Sequence, residues 1–554
     1  MNKMIYRLSL GSMGILPMVL HGRDTRATNF VRAGLAGLAG AAVFCLALQG
    51  GILSAEEATD SSQPEKKEAR LALEECLRRA LEENLSLAAQ ALNIGIAEQG
   101  VVGAQAPFDS QFALDLLYER AKSQEEGTDS DRRRGELTWS KRARTGQTFR
   151  ISHSMSRLDR DADTPISPFY DLDWTFTATQ PLAKGAGRTA NMAPVWTAEN
   201  QRKKTVLMTT EFIMDLINTI EGTYLDLSYA IRYLEVRRSA LKLAQELLAR
   251  NEELVRVQKL PGRSIEVLQA KAAVAAREEE IIVSRNAIAK TEDAIHRLMN
   301  LPVRFEGDRP PLVPADEPMI DLEVPKVEES LSFALAHRPE VQALKLDLDS
   351  ARLELAAARN NRLPEVGLRA DLGLAGSETG YGSSLDELAE GRNYVWQAGI
   401  SVSIPWGNRA ARSRYARAKL SYRKAKILFQ NFLEELRLNV INAHRDIDRD
   451  LKRIATTKAS LEQTQLQLQT EKERFAQQMS NSFRILQFQD DLIEAQIRHL
   501  AATIDFNRSY FNLLRVEGQA IRNERFDLTD IVEKMLPRLY PSRRRWSPGK
   551  GFAG

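Results

Sequence analysis

The chain has 554 residues, 77 Lys and Arg against 74 Asp and Glu, a formal net charge of +3 and only 7% aromatic residues. So even a balance supplies no overall basic field for nucleic acid and no acidic excess that would mark a disordered tail. Length alone leaves the number of domains open.

Near the start, Arg23, Arg26 and Arg32 precede an apolar, small-residue run from Ala33 to Leu48 that ends at Leu53-Ser54-Ala55. This pattern reads as a secretory signal over 1–55, cleaved near Ala55. An uncleaved membrane helix is the competing reading, because Ala33 to Leu53 approaches the roughly 20 residues that span a bilayer. No later stretch is apolar for so long, so a mature chain that enters a membrane elsewhere must do so as strands. Of the two cysteines, Cys45 lies in the apolar run, where lipidation is the alternative to a plain leader residue, and Cys76 reads as a small buried residue on an amphipathic helix. Residues 56–70 read as a flexible segment.

The rest of the chain carries an internal repeat. RALEENLSLAAQALNIGIAE from Arg79 resembles FALAHRPEVQALKLDLDSAR from Phe333, and each is followed by an alternating stretch, a loop, a second alternating stretch ending in Pro and a long helical run. Two copies of a helix, strand, strand, helix, helix plan therefore occupy 71–325 and 326–520. In DLDWTFTATQP (171–181), Leu172, Trp174, Phe176 and Ala178 alternate with polar residues, and in WQAGISVSIP (396–405), Trp396, Ala398, Ile400, Val402 and Ile404 do the same. Their companions are Phe108 to Tyr118 and Val366 to Leu374. All four have roughly the 9 to 11 residues of a membrane strand. Leu172, Trp174, Phe176, Trp396, Ile400 and Val402 are the expected lipid-facing residues. Four strands cannot close a barrel, and lipid tolerates no open edge, so strands from several protomers must close it together. The polar stretches after Tyr118 and after Ala375 read as exposed loop tips, and residues 136–155 as an extra hairpin around Thr145-Gly146 belonging to the extracellular loop.

Pro181 and Pro405 mark equivalent points where strand gives way to helix, positions at which Pro ends a ladder. Beyond them the apolar seam recurs every seven residues. Ile213, Ile220, Leu227, Leu234, Leu241, Leu248 and Val255 are answered by Val267, Val274, Ile281, Ile288 and Ile295; Leu433 through Phe475 and Ile485 through Leu513 repeat the period. Held over such lengths, this seam imposes left-handed supercoiling, and a run of about 70 residues would extend roughly 100 Å.

Across residues 71–518 the chain resembles the TolC-like outer membrane efflux protein family. FTATQPLAKGAGRTANMAPVWTAE and ISVSIPWGNRAARSRYARAKL are similar to that family's two strand-to-helix junctions. The resemblance implies an α+β membrane protein: a homotrimer with a twelve-stranded barrel, four strands per protomer, in the outer membrane, continued by a coiled-coil helical barrel through the periplasm. It further implies an exit duct for a tripartite efflux or type I secretion system, served by an inner-membrane transporter and a periplasmic adaptor protein, with drugs, metals or proteins as cargo. The alternative is a periplasmic coiled-coil scaffold or adaptor, which accounts for the helices but not for the paired strands. In the family the second hairpin turn carries aspartates at the pore entrance. Here the matching positions are Arg484 and Gln487, and Glu266 in the first turn is the expected partner of Arg484.

No catalytic constellation or cofactor site is expected. His296, His444 and His499 stand singly on helices without zinc-site spacing. KGAGRTA from Lys184 lacks the phosphate-loop frame and reads as a turn. Acidic pairs such as Asp490-Asp491 read as solvated helix faces, and the basic C-terminal residues 521–554 as a flexible tail.

Overall fold

The computed structural model describes residues 69–122, 129–160, 168–257, 265–302 and 311–519. The leader with Cys45, most of the segment before residue 70, the tip of the first helical hairpin and the C-terminal tail lie outside these residues. In chain order the described elements begin with β1 (Ala69–Leu71), α1 (Leu73–Glu83), α2 (Leu85–Gln105), β2 (Gln111–Lys122), β3 (Asp129–Arg142), β4 (Thr148–Arg160) and β5 (Phe169–Pro181). Next come α3 (Arg188–Arg256), α4 (Ile265–Leu298), β6 (Leu312–Pro314), α5 (Val327–His337), α6 (Pro339–Asn360) and β7 (Glu365–Glu378). The last are α7 (Tyr381–Glu390), β8 (Asn393–Ser403), α8 (Arg409–Ala476) and α9 (Ser482–Glu517).

The heptad runs become two antiparallel helix pairs, α3 with α4 and α8 with α9. Ile213, Ile220 and Leu227 of the first seam are fully buried. Further along α3 the buried line moves off Leu241 and Leu248 onto Ala240, Ala244, Leu247 and Asn251, so one seven-residue seam does not serve the whole helix. Small residues there let neighbouring helices approach. Midway along the helices, a core gathers Cys76, Leu77, Leu81, Ile213, Ile220 and Ile295. The parallel pair β1–β6 joins this core, and Tyr224 donates its hydroxyl proton there, with Leu71 O and Asp316 Oδ2 each 2.9 Å away. Cys76 is buried as expected, and burial pushes its thiol up to about 12.

The sheet corrects the expected strand count. It is antiparallel, with six strands in the order β2-β3-β4-β5-β7-β8, not four. The additional strands are β3 and β4. Residues 129–136 look like loop because they are crowded with charge, yet their backbone completes ladders on both sides. The hairpin turn 143–147 also lies elsewhere than expected. It is at the helix end of the sheet, where Gly187 donates its amide to Thr145 O at 3.1 Å. After Ala375, β7 continues to Glu378 and α7 follows, in place of an irregular loop tip.

Glu211 of α3 lies where the α5–α6 connection meets the end of α9. Arg338 binds Glu340 at 2.5 Å and Arg515 reaches Asp215 at 2.6 Å. Burial first, then the Glu340 and Asp215 carboxylates, push Glu211 up to about 7 from an ordinary 4.5, against the opposing Arg338 guanidinium. A carboxyl held protonated by the fold stabilises it fully below the unfolded pKa, and this contribution is lost as pH rises through about 7. Glu211→Gln is therefore expected to shrink the fall in thermal midpoint between pH 5 and pH 8, measured by circular dichroism of the solubilised protein.

Candidate functional site

Three places carry functional weight: the apolar face of the sheet, the strand-to-helix junction and the hairpin tips. Register decides the first. Phe112, Trp139, Ile151, Phe176, Leu372 and Trp396 follow one another across all six strands on a single face, because each is the ladder partner of the next. The opposite face carries Ser152, Thr175, Thr177, Asp371 and Gln397. There Thr177 donates to Asp371 at 2.6 Å and Gln397 donates to the same carboxylate at 3.1 Å.

On the apolar face Trp396, Ile400 and Val402 are 64–71% exposed, and Phe176 is exposed as well. Trp174 is half-buried between His153 and Phe176, with ring centroids 4.7 and 6.2 Å away. Leu172 departs from the expectation. It is fully buried, beside Gly376 in the ladder, where α7 covers the sheet so closely that a Cβ on Gly376 would meet Ser384 O and Leu388. It serves as an anchor under α7 and is withdrawn from the set of lipid-facing residues.

At the junction, Pro181 closes β5, and the turn after it is held from three directions. Asn360 accepts the Gly185 amide at 2.8 Å and donates to Ala183 O and Ala186 O; Asn191 donates to Gly185 O and Gly187 O; Arg142 donates to Asn191 Oδ1 at 2.7 Å. The amides of Gly185 and Gly187 are thus already used, so KGAGRTA is a turn and not an anion cradle. Pro405 lies two residues past the end of β8, and its surroundings are open. Asn408, in the left-handed region with φ 42°, donates to Arg362 O at 3.1 Å, and Trp406 is wholly exposed. The bond from Arg142, on a strand absent from the four-strand expectation, was not foreseeable from spacing.

At the tips, Asn481 caps α9 by accepting the Arg484 amide at 3.0 Å. Arg484 and Gln487 are exposed and Glu266 is half-buried, but no hydrogen bond or ion pair joins Glu266 to Arg484. The expected pairing is not formed within one chain. The two hairpins meet instead through Ser482, which donates to Asn251 Oδ1 at 2.9 Å, through Gln489, which donates to Leu243 O, and through an ion pair of Arg277 with Asp490. Asp490 is therefore a link between hairpins and not merely solvated. Its partner lies more than two hundred residues away, beyond the reach of any local pattern. Among the described residues no group of three or more His, Cys, Asp or Glu is arranged to hold a metal ion, and no helix is long and apolar enough to cross a membrane.

Long helical hairpins feeding an antiparallel sheet through a proline-marked junction define the fold of TolC-like channels, and comparison with known proteins agrees. Residues 331–519, which contain the second of the two junction motifs, match the family model for outer membrane efflux proteins. Among solved structures, the chain resembles the open state of the MtrE outer membrane channel of Neisseria gonorrhoeae at 17% identity. That match covers 81% of this chain and 89% of that one, with a TM-score of 0.58. The outer membrane protein VceC of Vibrio cholerae matches at 16% identity over 80% and 96% of the two chains, with a TM-score of 0.58. The CmeC outer membrane channel of Campylobacter jejuni matches at 16% over 88% and 97%, with a TM-score of 0.57. Comparison with curated protein sequences gives no match.

Asn191→Ala removes the group that holds two carbonyls of the turn and leaves Arg142 without its acceptor. At about 1–3 kcal/mol for an orphaned buried partner, the solubilised protein is expected to melt several degrees lower. Asn191→Asp, which keeps the acceptor for Arg142, is expected to recover part of that loss.

Proposed function

We propose that this protein is an outer-membrane exit duct. Three copies form a barrel in the membrane and a helical tunnel beneath it, which receives cargo from an inner-membrane transporter through a periplasmic adaptor. A tripartite efflux system and a type I secretion system both fit this architecture. The observation that carries the reading is the apolar row crossing all six strands. A face of this kind on a sheet with two open edges has no use in a soluble scaffold, whereas lipid and neighbouring copies account for both features. The polar face opposite it then lines a water-filled lumen.

Charge on the lipid-facing side of a barrel costs about 2–4 kcal/mol for Arg near the bilayer midplane. Phe176→Arg and Ile400→Arg are therefore expected to lower the yield of assembled trimer in the outer-membrane fraction, while Thr175→Arg and Ser401→Arg leave it near wild type. Equal tolerance at all four positions, or recovery of the protein in the soluble fraction, would favour the scaffold.

The tip of the second hairpin supports a charge assignment for the mouth. Arg484 is exposed and has no acidic partner among the described residues, so threefold repetition would ring the mouth with positive charge. Arg484→Asp is expected to shift single-channel selectivity in planar bilayers toward cations and to change conductance. Unchanged selectivity in an intact trimer shows that Arg484 does not line the constriction.

A further inference from the structure

The chain ends laterally in two unfinished edges. In the sheet these are β2 and β8, the outermost strands of the row, and every residue of β8 is exposed. Beside the sheet, α2 packs on α3, α3 on α6 and α6 on α8, which makes a row of four helices with α2 and α8 outermost. Both outer helices carry an unpartnered seam. In α2, Leu87, Ala91 and Ile94 are buried, while Leu85, Ala89, Leu92 and Ile96 recur at helical spacing on the other side and are exposed. In α8, Leu420 and Ile427, seven residues apart, are exposed in the same way.

The internal repeat supplies a template for the missing contact. Its two halves meet inside the chain where β5 pairs with β7, with Ala178 opposite Ala370 and Phe176 opposite Leu372. In the repeat, β8 corresponds to β5 and β2 to β7. Carrying the register across sets Val402 opposite Leu116 and Ile400 opposite Tyr118 of a second copy. It also brings Ile404 to Leu114 and Trp406 to Phe112. These are among the largest exposed apolar residues of the chain. Apolar meets apolar at each step, whereas a slip of one residue would set every one of them against the polar face.

The widths agree as well. Four helices at 8–10 Å span about 32–40 Å. Six strands about 4.8 Å apart, tilted by about 40°, span about 38 Å, whereas four would span about 25 Å.

Resting on the reading of the chain as a membrane duct, we infer that β8 of each copy pairs antiparallel with β2 of the next in this register, so that all six strands enter the barrel wall, eighteen in a trimer. Such a barrel measures about 36 Å between opposite backbones, against about 24 Å for twelve strands. It keeps the girth of the helical ring and does not narrow at the membrane.

The test is a double substitution, Val402→Cys with Leu116→Cys, in the full chain expressed in outer membranes. Directly opposed antiparallel residues lie about 4.5–5.5 Å apart at Cα, within disulfide reach. Mild oxidation is expected to convert most of the protein to covalent trimer on non-reducing denaturing gels. Each single substitution, and Val402→Cys with Leu117→Cys on the opposite face, should stay monomeric. Ala178→Cys with Ala370→Cys, the within-chain template, should form its disulfide without intermolecular product. An intact trimer that forms no Val402–Leu116 link overturns the inference and leaves the duct standing. Absence of any oligomer in the outer-membrane fraction overturns the duct reading itself.

Discussion

A backbone amide or carbonyl in hydrocarbon has no water to bond, and each one left unpaired there costs several kcal/mol. For a sheet that enters lipid this turns two open edges into the governing constraint. The chain satisfies the four inner strands by itself and leaves one side of β2 and one side of β8 unmet. Much of the exposed apolar surface lies near those edges: Phe112, Leu114 and Leu116 on one, Ile400, Val402, Ile404 and Trp406 on the other. The asymmetry of the junctions follows from the same cause. The turn after Pro181 sits mid-row, where Asn191, Asn360 and Arg142 hold it from within the chain; the turn after Pro405 sits at the edge, where its own chain supplies a single side-chain bond from Asn408.

Away from the sheet the constraint is register. A long seam of leucines and isoleucines can slide by a heptad at little cost, and polar groups buried within it resist sliding because each displaced partner leaves a desolvated group behind. Asp450, fully buried on α8, is bound by Arg449, by Arg453 and, at 2.7 Å, by Ser509 of α9. These contacts hold its carboxyl below the usual range against burial, which acts the other way. Toward the tips, Asn251 with Ser482 and Gln489 with Leu243 do the same between the two hairpins. Hydrophobic burial supplies most of the stability, and these sites choose one alignment among several of similar apolar content.

What the sequence made legible depended on whether one residue pattern faced one environment. The first part of the α3 seam, the seam of α8 and the alternation of β5 and β8 were readable, because each is a period with a single physical cause. β3 was not. Its first half, DSDRRRGE, belongs to the end of the strand away from the helices, where charge is tolerated on either face, and composition there resembles a loop. Leu172 misled for the opposite reason: alternation places it correctly on the apolar face but says nothing about α7, which covers it. The β1–β6 pair, only three residues on each side, is set by tertiary contacts of Tyr224 and Asp316 and leaves no periodic trace. The link between Asp490 and Arg277 is equally invisible to any local window.

The added hairpin also shows what the repeat permits. Each strand reverses the direction of the chain, so an insertion between β2 and β5 that leaves both junctions at the helix end must contain an even number of strands. Two is the smallest such insertion, and β3 with β4 is that pair. Its turn returns to the helix end, where Thr145 receives the Gly187 amide and Arg142 reaches Asn191, so the insertion is itself part of the junction. Nothing in the row of helices had to change to admit it. A sheet four strands wide would span about 25 Å against about 32–40 Å for the row of four helices below it, and the strands would have to converge on leaving the junction. With six, strands and helices meet at equal width, and the wall passes from one to the other without a taper.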